Sequence, residues 1–238
     1  MRYRLLLSAS IAALTGAAWI ALWSMGAAAH ASMHHHHHHG AASGGAAPLA
    51  AMIGFVGGWT LMTIAMMLPT SLPVLTTLAT LARDRADRSW LVTLAAIGYL
   101  LTWTGFGFVV WLGQQAWPRL AIGGSVILLA AGAYQFTPLK HRCLEKCRSP
   151  LSFVIEHWQG RDERWQAFRL GIDHGLFCVG CCWTLMLLMF VVGISSLAWM
   201  FALGIVMAIE KNTRAGRRLS APIGIVLLAW GAATLISS

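Results

Sequence analysis

The chain alternates long apolar stretches with short polar ones, and the lengths of the apolar stretches give the main structural signal. A helix needs about 20 apolar residues to cross the hydrocarbon layer of a membrane. The sequence predicts seven such spans, at 5–28, 52–80, 90–112, 120–138, 175–194, 197–210 and 219–236. The expected fold is therefore all-α, a polytopic transmembrane helix bundle that forms a single integral membrane domain over residues 1–238.

The basic residues predict the orientation of the bundle, because Lys and Arg are enriched in the cytoplasmic loops of membrane proteins. With the N-terminus in the cytoplasm, 16 of the 17 basic residues lie on the inner side, and only Arg119 lies outside. The eight acidic residues also lie on the inner side, which argues against an ion pump built on carboxylates within the spans. We expect a multi-pass protein of the cell inner (plasma) membrane.

The composition supports this class of protein. Hydrophobic residues make up 58% of the chain and charged residues 11%, which leaves too little polar surface for a water-soluble globule. The net charge of +9 is then expected to face the anionic lipids of the bilayer, so no nucleic acid partner is predicted.

The first span and the loop after it each leave an alternative open. Ala29-His30-Ala31 follows the span and has the small-x-small pattern of a signal-peptidase site, but the length of the span favours a retained helix. Residues 29–50 are predicted to form a flexible external loop rich in His, Gly and Ala. The run His34 to His39 is either a native metal-gathering tract or an inserted purification tag, and it will bind divalent metals in either case.

Two further segments have a predicted local structure. Pro69 and Pro73 should kink or break the second span. Residues 140–174 form the longest inner loop, a cytoplasmic loop in which Trp165, Phe168 and Ile172 have the spacing of a helix at the lipid interface.

The cysteines are the main candidates for chemistry. They form two groups, Cys143 with Cys147 and Cys178 with Cys181 and Cys182, at the predicted cytoplasmic ends of neighbouring spans. Residues four apart share a helix face, so we expect the two groups to approach one another. Five cysteines cannot all pair in disulfides, and thiolates are soft ligands that select Cu(I), Zn(II) or iron-sulfur clusters.

Additional ligands lie at a similar height or deeper in the same span. His174 and Asp173 precede the second group and offer a nitrogen and an oxygen. Cys178, Cys182, Met186 and Met189 follow one helix face, so soft ligands continue into the membrane. Met62 and Met66 are spaced in the same way in the second span. Methionine is also an ordinary filler of apolar cores, and that reading stays open.

Several stretches resemble a bacterial family of predicted metal-binding integral membrane proteins. They are Ala65 to Pro69, Tyr134 to Lys140, Cys143 to Pro150, Gly175 to Met186, and Glu210-Lys211. The resemblance implies that Cys143, Cys147, Cys178, Cys181 and Cys182 bind a metal. The histidine run departs from the family pattern.

The function predicted from these features is metal handling in the membrane. The chain is expected to bind or pass Cu(I), with zinc as the other candidate metal, at Cys143, Cys147, Cys178, Cys181, Cys182, His174 and Met186. Its expected partners are the lipid bilayer and either a membrane metalloenzyme that receives the metal or other membrane subunits.

Two alternatives remain. Cys178-Val179-Gly180-Cys181 is a C-x-x-C pair, which suits a thiol-disulfide oxidoreductase that exchanges electrons with a quinone. The chain could instead be an accessory subunit of a membrane complex. Phosphate-loop, Ser/His/Asp and His-Glu-x-x-His motifs are absent from the sequence, so no enzyme activity is predicted from motifs.

Glu210 and Lys211 are expected to pair with each other or to reach the membrane surface.

Overall fold

The computed structural model describes residues 2–33, 46–120, 123–158, 162–192, 196–213 and 216–237. These residues are organised in ten α-helices and one short 3₁₀ helix, without a strand, which confirms the all-α prediction. The α-helices are α1 Arg2–Met33, α2 Ala46–Met66, α3 Leu72–Leu81, α4 Arg88–Leu120, α5 Gly124–Tyr134, α6 Pro138–Arg148, α7 Pro150–His157, α8 Glu163–Val192, α9 Leu197–Asn212 and α10 Gly216–Ile236.

Five of the described helices, α1, α2, α4, α8 and α10, are long and apolar enough to cross a membrane. The predicted fourth and sixth spans correspond to α5 and α9, which have 11 and 16 residues. At about 1.5 Å per residue these helices reach about 17 Å and about 24 Å, short of a hydrocarbon layer about 30 Å thick. Five of the described helices thus have the length and composition of a span, and the seven spans and the orientation stay predictions.

The predicted break in the second span is confirmed. Helix α2 ends at Met66, Pro69 begins the 3₁₀ helix Pro69–Ser71, and α3 begins at Leu72. Side chains add hydrogen bonds to the Met67 carbonyl at the break: the Thr70 hydroxyl donates to it at 2.7 Å, and the Tyr99 hydroxyl donates to it at 3.2 Å. The break therefore connects α2 directly to α4.

Helix α8 lies at the centre of the bundle and packs against α4, α5, α6 and α9. Its closest contact is with α4 at Gly171, where an added Cβ would lie 2.0 Å from the Ala95 carbonyl oxygen, so only glycine fits there. The predicted interfacial helix is the first part of α8, because the helix is continuous from Glu163. The cytoplasmic position of residues 140–174 stays a prediction.

The predicted external loop lies mostly outside the described residues. The helical backbone of α1 continues through Ala29 to Met33, and α2 begins at Ala46. The run His34 to His39 falls between these helices, outside the described ranges.

Candidate functional site

Helix α6 carries the first pair of cysteines. Thr137 caps its N-terminus by accepting a hydrogen bond from the Lys140 amide at 3.3 Å, and Pro138 follows as the first helical residue. Cys143 and Cys147 are one turn apart, and both are buried. Because α6 packs on α8, this face of the helix meets the cysteine-bearing part of α8.

Four of the five sulfurs lie close together. All five cysteines are free thiols. The Sγ atoms of Cys181 and Cys182 are 3.3 Å apart, and the Sγ of Cys181 is 4.0 Å from that of Cys147 across the helix interface. The Cys181 thiol also donates a hydrogen bond to the Cys178 carbonyl at 3.3 Å, one turn earlier on α8. The contact between the two predicted groups therefore runs through Cys181.

Cys143 lies beside this group. Its sulfur faces Gly180, where an added Cβ would lie 2.6 Å from the Cys143 Sγ. The Gly180 carbonyl accepts a hydrogen bond from the Tyr134 hydroxyl. Within the described residues, no hydrogen bond joins Cys143 to another sulfur, and burial raises the pKa of its thiol. The close fit of Cys143 against Gly180 sets the distance between α6 and α8.

Lys211 is the residue of this site that the sequence analysis missed. Its buried ammonium donates to the Cys178 Sγ at 2.6 Å and to the Thr70 Oγ1 at 3.0 Å, and lies 3.9 Å from the Met67 Sδ. No carboxylate within the described residues forms an ion pair with it. A neighbouring ammonium favours the thiolate, which is the form of cysteine that binds metals. Lys211 thereby places a positive charge directly beside the Cys178 sulfur.

The expectation that Glu210 and Lys211 pair with each other or reach the membrane surface is wrong. Both are buried, and they turn to different helices. The Glu210 carboxylate pairs with the Lys140 ammonium of α6 at 3.0 Å and accepts a hydrogen bond from the Ser220 hydroxyl of α10 at 2.9 Å. Lys140 also donates to the Gln135 side chain. The end of α9 is thus tied to α6 by Glu210 and to α8 by Lys211.

The remaining predicted ligands differ in their surroundings. His174 is buried one turn before Cys178, stacks on Tyr99 with ring centroids 5.5 Å apart, and has an Nδ1 without a hydrogen-bond partner among the described residues. Asp173 instead lies 3.4 Å from the Nε2 of His157 and 3.7 Å from the Nε of Arg169. Met186 is fully buried on α8. His174 therefore has a nitrogen free for a ligand, whereas Asp173 is engaged in ion pairs.

The distance between two of the sulfurs is compatible with a shared metal ion. In the described part of the chain, no group of three or more His, Cys, Asp or Glu side chains is arranged to hold a metal ion as it stands. Two metal-thiolate bonds of about 2.3 Å span at most about 4.6 Å. The 4.0 Å between Cys147 and Cys181 is within that limit. One metal ion can therefore bridge the two helices at this pair.

The relationship to known proteins supports copper among the candidate metals. Residues 56–234 match the family described as PpoB2: Copper chaperone, and this match covers well over half of the chain. The chain belongs to the PpoB2 copper chaperone family. No curated protein and no solved structure matches it.

Membership of the copper chaperone family supports copper handling, and it gives no support to zinc, the other metal considered from the sequence. The matched range contains the five cysteines, His174, Met186 and Lys211.

Proposed function

We propose that the chain is an integral membrane copper chaperone of the bacterial inner membrane that binds Cu(I) and passes it to a membrane copper enzyme. The proposed binding site is the thiol cluster, defined as Cys147, Cys178, Cys181 and Cys182. The observation that carries the proposal is the 4.0 Å contact between the sulfurs of Cys147 and Cys181, made by two helices of a copper chaperone family member. His174 is a further candidate ligand next to the cluster.

The chemistry of the cluster favours Cu(I) over harder cations. Thiolates are soft donors, and Cu(I) is a soft ion that accepts a sulfur-only environment. Four thiolates also match the tetrahedral ligand set of structural zinc sites, so the preference for copper over zinc rests on the family match. The cluster is buried, and His174 next to it is the candidate nitrogen ligand. A monovalent ion also brings less charge into the interior than a divalent one, which lowers the cost of desolvation.

The two helices that hold the cluster can have different roles, with α8 supplying ligands that stay in place and α6 supplying a ligand that leaves the metal on release. Cys178, Cys181 and Cys182 belong to the central helix α8, whereas Cys147 belongs to the short helix α6. A small movement of α6 away from α8 would remove Cys147 from the metal and leave the other ligands in place. Met186 follows Cys182 by one turn on α8 and is fully buried, so a thioether stands ready as the next, weaker ligand.

The membrane setting is supported by the five helices that are long and apolar enough to cross a bilayer and by the uneven distribution of the basic residues. In the proposed orientation the N-terminus and residues 140–174 lie in the cytoplasm, so the thiol cluster receives copper from the reducing compartment. Reporter fusions within residues 140–174 test this orientation. Activity of an external reporter at that position would contradict it.

Copper binding by purified protein tests the proposed site. The chain is used with His34 to His39 replaced by Ser, so that the histidine run binds no metal. We expect about one equivalent of Cu(I) to be retained against a competing chelator, and Cys147→Ser together with Cys181→Ser to abolish this retention. Cys143→Ser is the matched control, one turn away on α6, and should retain copper. Stoichiometric zinc without copper after copper loading, or retention of copper by the double variant, would contradict the proposal.

One observation favours a second function, thiol-disulfide exchange. The Lys211 ammonium lies 2.6 Å from Cys178, the first cysteine of the C-x-x-C pair, and a thiolate is the attacking form in such exchange. Rapid electron transfer between the Cys178 and Cys181 pair and a quinone, in the absence of metal, would favour this function over copper delivery.

A further inference from the structure

A second group of sulfur ligands lies deeper along α8 than the thiol cluster. A cavity of about 340 Å³ is lined by Met25 of α1, Met62 of α2, Met189 of α8 and Met200 of α9. Four methionines from four different helices thus surround one space. We propose that this thioether cavity is a second, weaker Cu(I) site, which receives the ion from the thiol cluster. The inference rests on the proposed function and extends it to the release end of the path.

The position of the cavity fits this role. Met189 follows Cys178 by eleven residues on α8, which corresponds to about 17 Å along the helix axis, or roughly half of the hydrocarbon layer. Met25 is near the end of the apolar part of α1, opposite Arg2, and Met200 is in the first turn of α9, whereas Lys211 in the last turn contacts the thiol cluster. The two sites therefore lie towards opposite ends of the bundle.

Buried sulfur connects the two sites. Cys182, Met186 and Met189 follow one another along α8, and all three are buried. Each step is one turn or less than one turn of helix, so an ion that leaves the thiolates finds the next soft donor within a short distance. Met62 and Met200 are buried, whereas Met25 is exposed for more than half of its surface. The path thus begins at buried thiolates and ends at an accessible thioether.

The walls of the cavity accept a soft monovalent cation and little else. The rings of Trp59 and Phe190, which also line it, stack with their centroids 6.1 Å apart and give the cavity an apolar aromatic wall. The lining includes no carboxylate and no histidine among the described residues. Thioethers bind Cu(I) but are poor ligands for Zn(II) and for hard cations. The chemistry of the cavity therefore selects Cu(I) and its non-redox analogue Ag(I).

The cavity also has free space next to its backbone. A Cβ added at Gly54 or at Gly58 would meet no atom within 4 Å, and both glycines line the cavity. Gly54 is exposed and Gly58 is half-buried, so the cavity opens to the surface of the helix bundle beside these glycines, which suits a site that an ion enters and leaves.

Titration with Ag(I) tests the cavity separately from the thiol cluster. The chain with His34 to His39 replaced by Ser is titrated in detergent by calorimetry, and we expect one tight and one weaker equivalent. Met62→Leu together with Met200→Leu, which nearly conserves volume, should remove only the weaker equivalent. Met52→Leu together with Met207→Leu changes the same two helices outside the cavity and should leave both equivalents.

The outcomes separate the two proposals. Loss of the tight equivalent in the Cys147→Ser and Cys181→Ser variant, with the weaker one intact, supports two independent sites. The cavity proposal is overturned if the Met62 and Met200 variant keeps both equivalents, or if the control pair loses the weaker one as well. Gly58→Leu fills the cavity while keeping every methionine, and retention of the weaker equivalent by that variant would also overturn it. Absence of a tight equivalent in the parent chain would instead contradict the proposed function.

Discussion

Gly180→Ala should weaken copper binding by separating the two helices that carry the thiol cluster. The added Cβ would lie 2.6 Å from the Cys143 Sγ, whereas ordinary contacts of this kind begin at 3.4 Å. Relief of the clash requires a shift of roughly 1 Å between α6 and α8, at a cost of about 1 to 3 kcal/mol. The same shift would increase the distance between the sulfurs of Cys147 and Cys181 from 4.0 Å to about 5 Å. That distance exceeds the span of about 4.6 Å that two metal-thiolate bonds can cover.

The assay is competition between the chaperone and a Cu(I) chelator, together with thermal unfolding in detergent. We expect Gly180→Ala to hold copper more weakly and to unfold at a lower temperature. Gly105→Ala is the matched control, because its Cβ would meet no atom within 4 Å and because alanine stabilises a helix by up to about 1 kcal/mol relative to glycine.

A second substitution shows whether the steric explanation is right. Cys143→Ala removes the obstructing sulfur, and the remaining Cys143 Cβ would lie 3.4 Å from the new Cβ, which is an ordinary contact. The Gly180→Ala and Cys143→Ala double variant should therefore recover most of the affinity and stability. Unchanged copper affinity in Gly180→Ala would show that the close fit of Cys143 against Gly180 does not control copper binding. A double variant with no higher affinity or stability than Gly180→Ala would show the same.

Three further predictions follow from the charged residues. Lys211→Met should weaken Cu(I) retention against a chelator, because Cys178 loses its cationic partner, and unchanged retention would show that Lys211 has only a packing role. Lys140→Met should destabilise the fold by about 3 to 5 kcal/mol in denaturant unfolding, because Glu210 is left buried and unpaired; addition of Glu210→Gln should restore much of the loss. The Lys146 ammonium lowers the pKa of the Glu156 carboxyl. This pair therefore makes a small contribution to folding stability above the usual pKa of Glu, and the contribution is lost as the pH falls through the lowered pKa. The stability of Lys146→Met, followed by acid unfolding, should therefore fall less over this pH range than that of the parent chain. Identical profiles for the two proteins would show that Lys146 does not stabilise the Glu156 carboxylate.

The sequence predicted the features that depend on local pattern. Apolar length identified the long helices, the prolines at 69 and 73 identified the break after α2, and the four-residue spacing of the cysteines placed each pair on one face. These features follow from helix geometry and from the backbone chemistry of proline, which act within a few residues.

The features that depend on packing could not be read from the sequence. Apolar length predicted spans at α5 and α9, whereas the described helices have only 11 and 16 residues, because hydropathy does not show where a short helix ends. The role of Lys211 depends on contacts with the break after α2 and with α8, which are distant along the chain. The one available signal was the pair Glu210-Lys211 at the end of an apolar helix, where two charges of opposite sign have a large cost unless other helices bind them.

The coordination of bound copper shows directly whether the thiol cluster holds the metal. X-ray absorption of the Cu(I)-loaded chain, with His34 to His39 replaced by Ser, reports which atoms surround the metal. We predict a Cu(I) ion with sulfur neighbours, and we predict that this bound ion is lost when Cys147 and Cys181 are both changed to Ser. A first shell of nitrogen and oxygen, or a sulfur shell that is unchanged in that double variant, would contradict it.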